Sequence, residues 1–142
     1  ALTTAKENAF INGFEKKIEF VQADVFDYLP QVESLKPAPY DFIILDPPAF
    51  TKSRKTALDA VRGYTEINSR AMKALPRGGY LATCSCSHFM EEKMFVKMLK
   101  NASEYAGVSL RLIKACAQSP DHPELMSVPE TKYLKFYLLQ IT

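Results

Sequence analysis

Five short runs rich in β-branched and aromatic residues alternate with segments of helical periodicity. The strand-like runs are Ile18–Phe26, Tyr40–Leu45, Gly79–Ser85, Val108–Ala117 and Lys132–Ile141. The helical segments between and before them are Ala1–Asn12, Asp27–Leu35, Tyr64–Leu75 and His88–Tyr105. Strands that alternate with helices predict an α/β domain built on a mostly parallel sheet.

Polar residues lie at or just beyond the carboxyl ends of three predicted strands, the first of which is expected to end near Asp24. They are Asp24, the Asp46-Pro47-Pro48 segment and the Cys84/Cys86 pair. In sheets of this class, ligands bind outside the carboxyl ends of the strands. We therefore expect these three features to converge on one edge of the sheet.

The segment Leu45–Phe50, "LDPPAF", stops a buried strand with two prolines. Proline favours an extended backbone and donates no hydrogen bond, so the carbonyl groups beside Asp46 are left to accept one. Such an acceptor-rich edge suits the amino group of a nucleobase, with Pro48 and Phe50 on the substrate side. The alternative is a simple strand terminator, but the aromatic residue that follows so closely favours a functional site.

Asp24 and Val25 form a second candidate contact with a base. An aspartate at a strand end can accept a hydrogen bond from the amino group of adenine, while Val25 or Phe26 lies against the ring. A helix N-cap or a turn explains Asp24 equally well.

The stretch Thr83–Glu92, "TCSCSHFMEE", holds two of the three cysteines. Cys86-Ser87 is predicted at a strand-to-helix turn, where helix amides would stabilise a thiolate nucleophile. Cys84 still lies within the strand, which favours a buried packing role. A metal site of Cys84, Cys86 and His88 is disfavoured, because the spacing is not C-x-x-C and no second cluster exists. We therefore assign no metal ligand.

Positive charge is concentrated after the Asp-Pro-Pro segment. Residues 51–77 hold seven Lys/Arg against two Asp/Glu, whereas residues 1–50 hold four against eight. Lys52 and Arg54 lie where a nucleic acid backbone would pass, although a solvated loop is the alternative. His122 lies between prolines in a long loop, where it either helps to shape a target pocket or forms a turn.

The overall composition favours a single intracellular domain. The 142 residues are 47% hydrophobic, enough for one core. No apolar run approaches the roughly 20 residues of a membrane span, and three scattered cysteines fit a reducing compartment. We therefore expect a cytoplasmic protein that has no contact with a membrane.

These motifs together resemble a known enzyme family. "LDPPAF" is similar to the fourth motif of class I S-adenosylmethionine-dependent methyltransferases. "GYTEIN", "GGYLATCSCS" and "DHPE…PETKYLK" resemble the PUA-domain-containing ribosomal RNA large-subunit methyltransferases, which include cytosine-5 enzymes. The resemblance runs through nearly the whole chain. It implies a Rossmann-like methyltransferase sheet with an antiparallel last strand, S-adenosylmethionine as cofactor and ribosomal RNA as substrate.

The resemblance also implies roles for individual residues. Counting from Gly78-Gly79, the family's cysteine nucleophile falls on Cys86, and Asp46 is its catalytic partner. Cofactor contacts are implied for Asp24, Val25, Asp46 and Pro47. Many RNA cytosine-5 enzymes carry a second cysteine just after the fourth-motif proline, where this chain has Ala49 and Phe50; the PUA-type family is similar in lacking it.

A partial catalytic domain is the last expectation. The chain opens on Ala1 and has neither a glycine-rich loop nor the acidic strand end that would hold a ribose. We expect the sheet to lack its first two strands, the isolated fragment to be inactive, and exposed sheet edges to favour a homodimer. Two alternatives remain open. One is methylation of guanine or an exocyclic base nitrogen without a cysteine nucleophile, and the other is a non-catalytic RNA-binding fragment.

Overall fold

The computed structural model describes residues 1–50 and 57–142, with the side chains of residues 57 and 58 outside the description. The elements in chain order are α1 (Leu2–Ile11), α2 (Val25–Ser34), β1 (Phe42–Leu45), α3 (Ala57–Ala74), β2 (Tyr80–Ser85), α4 (Glu92–Ala106), β3 (Leu110–Cys116), a short 3₁₀ helix (Pro129–Thr131) and β4 (Lys135–Ile141).

The four strands form one sheet in the order β1-β2-β4-β3. β1 runs parallel to β2, while β4 runs antiparallel to both β2 and β3. Three strands therefore point the same way, and the last strand of the chain lies between two of them in the opposite direction. This confirms the predicted α/β sheet, mostly parallel with an antiparallel last strand.

One face of the sheet carries the core. The helices α3 and α4 pack on it, and the largest buried side chains include Tyr64, Ile67, Phe95 and Met98. Burial alternates along β4, where every second residue from Lys135 to Ile141 is buried. This period of two is the pattern of a strand with a single covered face.

The β1 edge of the sheet is exposed, although Ala82 and Cys84 on β2 are buried on the face away from the core. Ile44 of β1 is 69% exposed and Phe42 is 48% exposed. Their strand partners are Ala82 and Tyr80, which alternate with the core residue Leu81. Among the described residues, no strand pairs with β1 on the side away from β2.

The predicted strand Ile18–Phe26 is wrong. Residues 18–24 form no strand, and Val25 and Phe26 already belong to α2. Ile18 and Val21 are 44% and 50% exposed. β-branched residues favour a strand only where a neighbouring strand offers a pleated surface to pack on, and the segment does not hydrogen-bond to β1 as a ladder partner.

Two predicted helix starts are also displaced. α3 begins at Ala57 rather than Tyr64, and α4 begins at Glu92 rather than His88. Residues 88–90 instead form a turn, in which the Met90 amide donates to the Ser87 carbonyl at 3.1 Å. The helix ends were predicted more closely, because Gly13 and Gly107 adopt positive φ directly after α1 and α4.

Candidate functional site

A cavity of about 490 Å³ lies at the carboxyl end of β1. Its walls come from residues 23–26 at the start of α2, from residues 44–48 and Phe50 after β1, and from Ile67 of α3. The predicted cofactor residues Asp24, Val25, Asp46 and Pro47 and the predicted substrate residues Pro48 and Phe50 therefore line one space. The structure brings these six together, and their roles remain predictions.

Asp24 caps α2 at one side of this cavity. Its Oδ1 accepts a hydrogen bond from the Phe26 amide at 2.8 Å. The side chain is exposed, so the carboxylate both caps the helix and faces the cavity. Asp24 is thus an N-cap, as one of the two interpretations predicted. This role does not prevent its carboxylate from contacting a ligand.

Aromatic side chains connect the cavity wall to the core. The ring centroids of Phe26 and Phe50 are 6.3 Å apart, and Phe50 meets Tyr64 edge-on at 4.6 Å. The Ser85 hydroxyl in turn donates to the Tyr64 hydroxyl at 3.0 Å, in the buried interior. The cavity therefore has an aromatic wall that packs against the core, and the Asp24 and Asp46 carboxylates also line it.

Asp46 accepts a hydrogen bond from the Cys84 thiol across the β1–β2 pair. The Cys84 thiol donates to Asp46 Oδ1 at 3.2 Å and also approaches the Leu45 carbonyl at 3.4 Å. Burial first, and then the hydrogen bond and negative charge of Asp46, raise the pKa of the Cys84 thiol to about 12. Cys84 therefore stays protonated at neutral pH and is a poor nucleophile.

Cys86 lies just beyond the end of β2 and is exposed. It does not line the cavity; it stands two residues after Cys84, which contacts Asp46 directly. The expectation that helix amides stabilise its thiolate is wrong, because α4 begins six residues later at Glu92. The field of a helix terminus falls off within the first turn of the helix.

A buried lysine meets the Cys86 turn from the neighbouring strand. The Lys135 ammonium donates to the Ser87 carbonyl at 2.6 Å and to the Tyr133 carbonyl at 2.7 Å. Its strand partner is Ser85, and only 7% of the residue is exposed. The turn after β2 is thus tied to the start of β4.

His122 lies away from the cavity walls. Its Nδ1 is 3.3 Å from the Tyr133 hydroxyl, and its Nε2 is 3.8 Å from Asp121 Oδ2. The loop that carries it leads directly into β4, whose first residue pairs with Ser85 at the carboxyl end of β2. His122 is therefore on the loop that leads into the strand paired with the end of β2, but the structure does not place it in the cavity.

Some predicted features fall outside what the structure describes or find no counterpart in it. Lys52 and Arg54 lie outside the described residues. Within the described ranges, no three His, Cys, Asp or Glu side chains come close enough to hold a metal ion, and this includes Cys84, Cys86 and His88. In the same ranges, no helix combines the length and apolar character that a bilayer crossing requires.

Several site residues were missed by sequence reasoning. Ile44 and Ile67 line the cavity, and Lys135 holds the Cys86 turn. The two isoleucines carry an ordinary apolar signal that cannot be told from core. Lys135 had a usable signal, because it is a charged residue at an inward position of an otherwise alternating strand.

Comparison with known proteins shows similarity to methyltransferases. The chain is 38% identical over 144 residues to "Ribosomal RNA large subunit methyltransferase I" of Vibrio vulnificus, with 99% of the chain and 36% of that protein covered. The protein of the same name from Aeromonas hydrophila is 40% identical over 136 residues, with 95% and 34% covered. The chain therefore spans about a third of the length of these curated relatives.

Solved structures agree on the fold. A methyltransferase complexed with SAH superposes with a TM-score of 0.68 at 19% identity, over 83% of this chain and 30% of the other. A SAM-dependent methyltransferase from Streptococcus mutans gives a TM-score of 0.69 at 21% identity, over 84% and 30%. No protein-family model matches the chain. The four-stranded sheet and its helices thus have the fold of part of a SAM-dependent methyltransferase.

Proposed function

We propose that this chain is part of an S-adenosylmethionine-dependent methyltransferase that acts on large-subunit ribosomal RNA. The observation that carries the proposal is the cavity at the end of β1, which joins the Asp24-Val25 and Asp46-Pro47 contacts in one space. The similarity to the ribosomal RNA methyltransferases, at 38% identity across 99% of the chain, supports the same assignment.

The residues of the cavity fit the nucleoside end of the cofactor. Val25, Phe26 and Phe50 offer apolar surface to a flat ring, while the Asp24 and Asp46 carboxylates offer acceptors for an amino group. This combination of an apolar slot and a few placed polar groups is typical of small-molecule sites. When bound, the cofactor supplies the methyl group.

For the target base, cytosine-5 methylation is the reaction that uses the cysteines best. The Cys86 thiolate attacks carbon 6 of the flipped-out cytosine, which makes carbon 5 nucleophilic toward the methyl group. A base then removes the carbon-5 proton, and the carbon–sulfur bond breaks to regenerate Cys86. Asp46 binds the polar edge of the ring, and Pro48, Phe50, Lys52, Arg54 and His122 are the proposed substrate contacts.

Cofactor binding is the direct test of the proposal. Titration of S-adenosylmethionine into the chain should shift the NMR signals of Val25, Phe26 and Ile44, with weaker affinity than an intact enzyme shows. Signals that stay unmoved at millimolar cofactor, in a chain that still binds RNA, would favour the non-catalytic RNA-binding alternative.

The chemistry has its own test. With RNA that contains 5-fluorocytosine, the full-length protein should form a covalent adduct to Cys86 when cofactor is present, and the adduct should be lost in Cys86→Ala. An adduct of undiminished yield in that variant contradicts the nucleophile assignment. Methylation of a guanine or exocyclic nitrogen needs no thiol, so a methylated RNA product without any adduct, mapped by mass spectrometry, would support that alternative.

We further propose that copies of this chain associate in the cytoplasm through the open β1 edge. Unpaired edge strands with apolar side chains favour pairing with another chain, and Ile44 is 69% exposed. Sedimentation should show dimers that dissociate in Ile44→Lys but persist in the control Lys97→Met, a change at an exposed position on α4. A monomer at all concentrations would refute the interface.

A further inference from the structure

Tyr64 of α3 is a fully buried tyrosine at a position where phenylalanine would pack in the same way. Its ring belongs to the hydrophobic core, and none of the residue is exposed. A buried hydroxyl group costs free energy unless it is hydrogen-bonded. The hydroxyl of Tyr64 therefore needs an explanation, and its partners supply one.

The Tyr64 ring supports one wall of the cavity at the end of β1. It meets Phe50 edge-on, with 4.6 Å between the ring centroids, and Phe50 lines the cavity. Burial raises the pKa of Tyr64, while hydrogen bonds with Ser85 and with the Phe50 backbone lower it. Tyr64 is thus connected to the segment that follows Pro48 in the cavity wall.

The Tyr64 hydroxyl is also connected to the turn that carries Cys86. Ser85 Oγ donates a hydrogen bond to this hydroxyl at 3.0 Å and accepts one from the Ser87 amide at 3.3 Å. Ser85 and Ser87 flank Cys86 in the chain and are both buried, whereas Cys86 is exposed. The thiol is therefore the exposed point of a turn whose two neighbouring residues are held from the interior.

Thr83 provides a comparison within the same strand. It lies two residues before Ser85 on the same face of β2, and it is also fully buried. Within the described part of the chain, its Oγ1 has no hydrogen-bond partner. The bond from β2 to the Tyr64 hydroxyl is thus made at the residue next to Cys86 and not at the equivalent residue before it.

We propose that Tyr64 and Ser85 are positioning residues, which hold Cys86 in a fixed place relative to the cavity. The inference rests on the proposed function, since it takes Cys86 as the nucleophile and the cavity as the cofactor site. The ring of Tyr64 supports the cavity wall, and its hydroxyl holds the turn of the nucleophile. A displacement of about 1 Å between reacting groups can cost about a hundredfold in rate, so a link of this kind acts on the rate of the reaction.

Adduct formation by the full-length protein, on RNA that contains 5-fluorocytosine, tests this link. Tyr64→Phe removes the hydroxyl and keeps the ring against Phe50, so the dissociation constant of the cofactor should change by less than about twofold. The rate of adduct formation at saturating cofactor and RNA should fall by about tenfold. Ser85→Ala breaks the same link from its other side, and the double variant should be no slower than either single variant.

Two matched variants separate positioning from the loss of any buried hydroxyl. Tyr137→Phe removes a hydroxyl that donates to Glu92 Oε1 at 2.9 Å, and Thr83→Val removes one that has no partner among the described residues. Both should form the adduct at the wild-type rate.

Hydrogen exchange of the Ser87 amide reports the turn directly, without RNA or cofactor. The amide should be protected in wild type, and it should exchange faster in Tyr64→Phe and Ser85→Ala but not in the two matched variants. Thermal unfolding shows which variants are folded. Because the two substitutions break one link at opposite ends, either folded variant is sufficient for the test.

The inference is overturned if a folded Tyr64→Phe or Ser85→Ala forms the adduct at the wild-type rate, or if the matched variants are slowed equally. A loss of rate with an equal loss of cofactor affinity also overturns it, since Tyr64 would then serve the cavity alone. An unprotected Ser87 amide in wild type does the same. Wild-type protein that forms no adduct refutes the proposed cysteine reaction itself, and the role of Tyr64 with it, so the wild-type measurement distinguishes the two failures.

Discussion

The two neighbouring cysteines sit in opposite environments. Cys84 is 7% exposed and donates to Asp46, whereas Cys86, beyond the strand end, is open to solvent. The difference follows from the end of the ladder, since Cys84 is still paired within β2 while Cys86 lies beyond the last paired residue, Ser85. One thiol is thereby kept neutral, and the other is left accessible for chemistry.

The Cys84 thiol should make the free energy of unfolding depend on pH in the alkaline range. Its folded pKa is raised from the ordinary 9.0 to about 12, so the unfolded thiol ionises first. The free energy of unfolding should therefore be unaffected by this group below pH 9 and should fall between pH 9 and 12. Urea unfolding at several pH values should show a shallower decline in Cys84→Ala than in wild type.

Other groups with shifted pKa values also titrate in this range, among them Tyr40, Tyr64, Tyr137 and Lys135, and they make the comparison with wild type necessary. Burial raises the pKa of Tyr137 to about 12, which adds to the decline, whereas the lowered pKa of Lys135 opposes it. Neither Tyr137 nor Lys135 is acted on by Cys84, so their contributions cancel in the comparison of Cys84→Ala with wild type. The difference therefore reports the thiol together with its smaller effect on the pKa of Tyr64. Cys116→Ala, at an exposed site, should follow wild type; an equal change there would refute the assignment.

Two substitutions can separate the capping role of Asp24 from its proposed role in cofactor binding. Asp24→Ala removes the acceptor of the Phe26 amide and should cost about 1 kcal/mol of unfolding free energy. Asp24→Ser keeps a capping oxygen and should cost only a few tenths of that, but its side chain is too short to reach a base. Thermal unfolding measures the first effect and cofactor titration the second. Full cofactor affinity in Asp24→Ser would leave Asp24 as a cap alone.

At the scale of elements, glycine positions carry the sharpest constraint. A Cβ at Gly79 would lie 2.9 Å from the Pro76 carbonyl and 3.2 Å from the Asp41 carbonyl, both backbone atoms. At Gly63, within α3, the nearest atom would be Phe50 Cδ2 at an ordinary 3.5 Å. The same substitution therefore meets a clash before β2 and an ordinary van der Waals contact with Phe50 in the helix.

We expect opposite effects from alanine at these two sites. Gly79→Ala should lower the unfolding free energy by about 1–3 kcal/mol, because the backbone around it must shift. Gly63→Ala should raise it by about 0.5–1 kcal/mol, because alanine is the better helix former. Denaturant unfolding of both variants checks the signs, and a stabilised Gly79→Ala would contradict the packing around β2.

The helices and strands show which parts of the fold could be predicted from the sequence. Alternation of apolar runs with helical segments predicted β1 through β4 and the helices, and the end of β1 predicted the place of Asp46. Asp24 lines the same cavity, but as the N-cap of α2 and not from a strand end. The prediction of a strand at Ile18–Phe26 failed. β-branched residues favour a strand only when a neighbouring strand is there to pack against, and the local sequence does not tell whether one is. The start of α4 failed because a turn at residues 88–90 continues the apolar spacing of the helix after it.

The link from Lys135 to Ser87 could not be predicted for a different reason. It joins residues 48 positions apart in the chain. Neither residue carries a local signal of the other, and only the insertion of β4 beside β2 brings them together. The sequence could indicate an unusual inward lysine, but not its partners.

At the scale of the molecule, α1 is the least integrated element. Ala9 is its only buried residue, while Phe10 and Ile11 are 72% and 78% exposed. Deletion of residues 1–13 should therefore change the unfolding free energy of the remaining domain by less than about 1 kcal/mol. Chemical denaturation of the truncated chain measures this, and a loss of cooperative unfolding would show that α1 packs on the sheet in solution.

The central place of β4 in the sheet sets the order in which the strands can assemble during synthesis. Among the described strands, β2 and β3 are joined only through β4, so residues 135–141 must have left the ribosome before the two halves of the sheet can meet. Contacts of such long separation close slowly and leave partly made sheets exposed in the meantime. A nascent chain stalled before residue 135 would have the β1–β2 pair and an unpaired β3. We expect it to bind chaperones more than the complete sheet does.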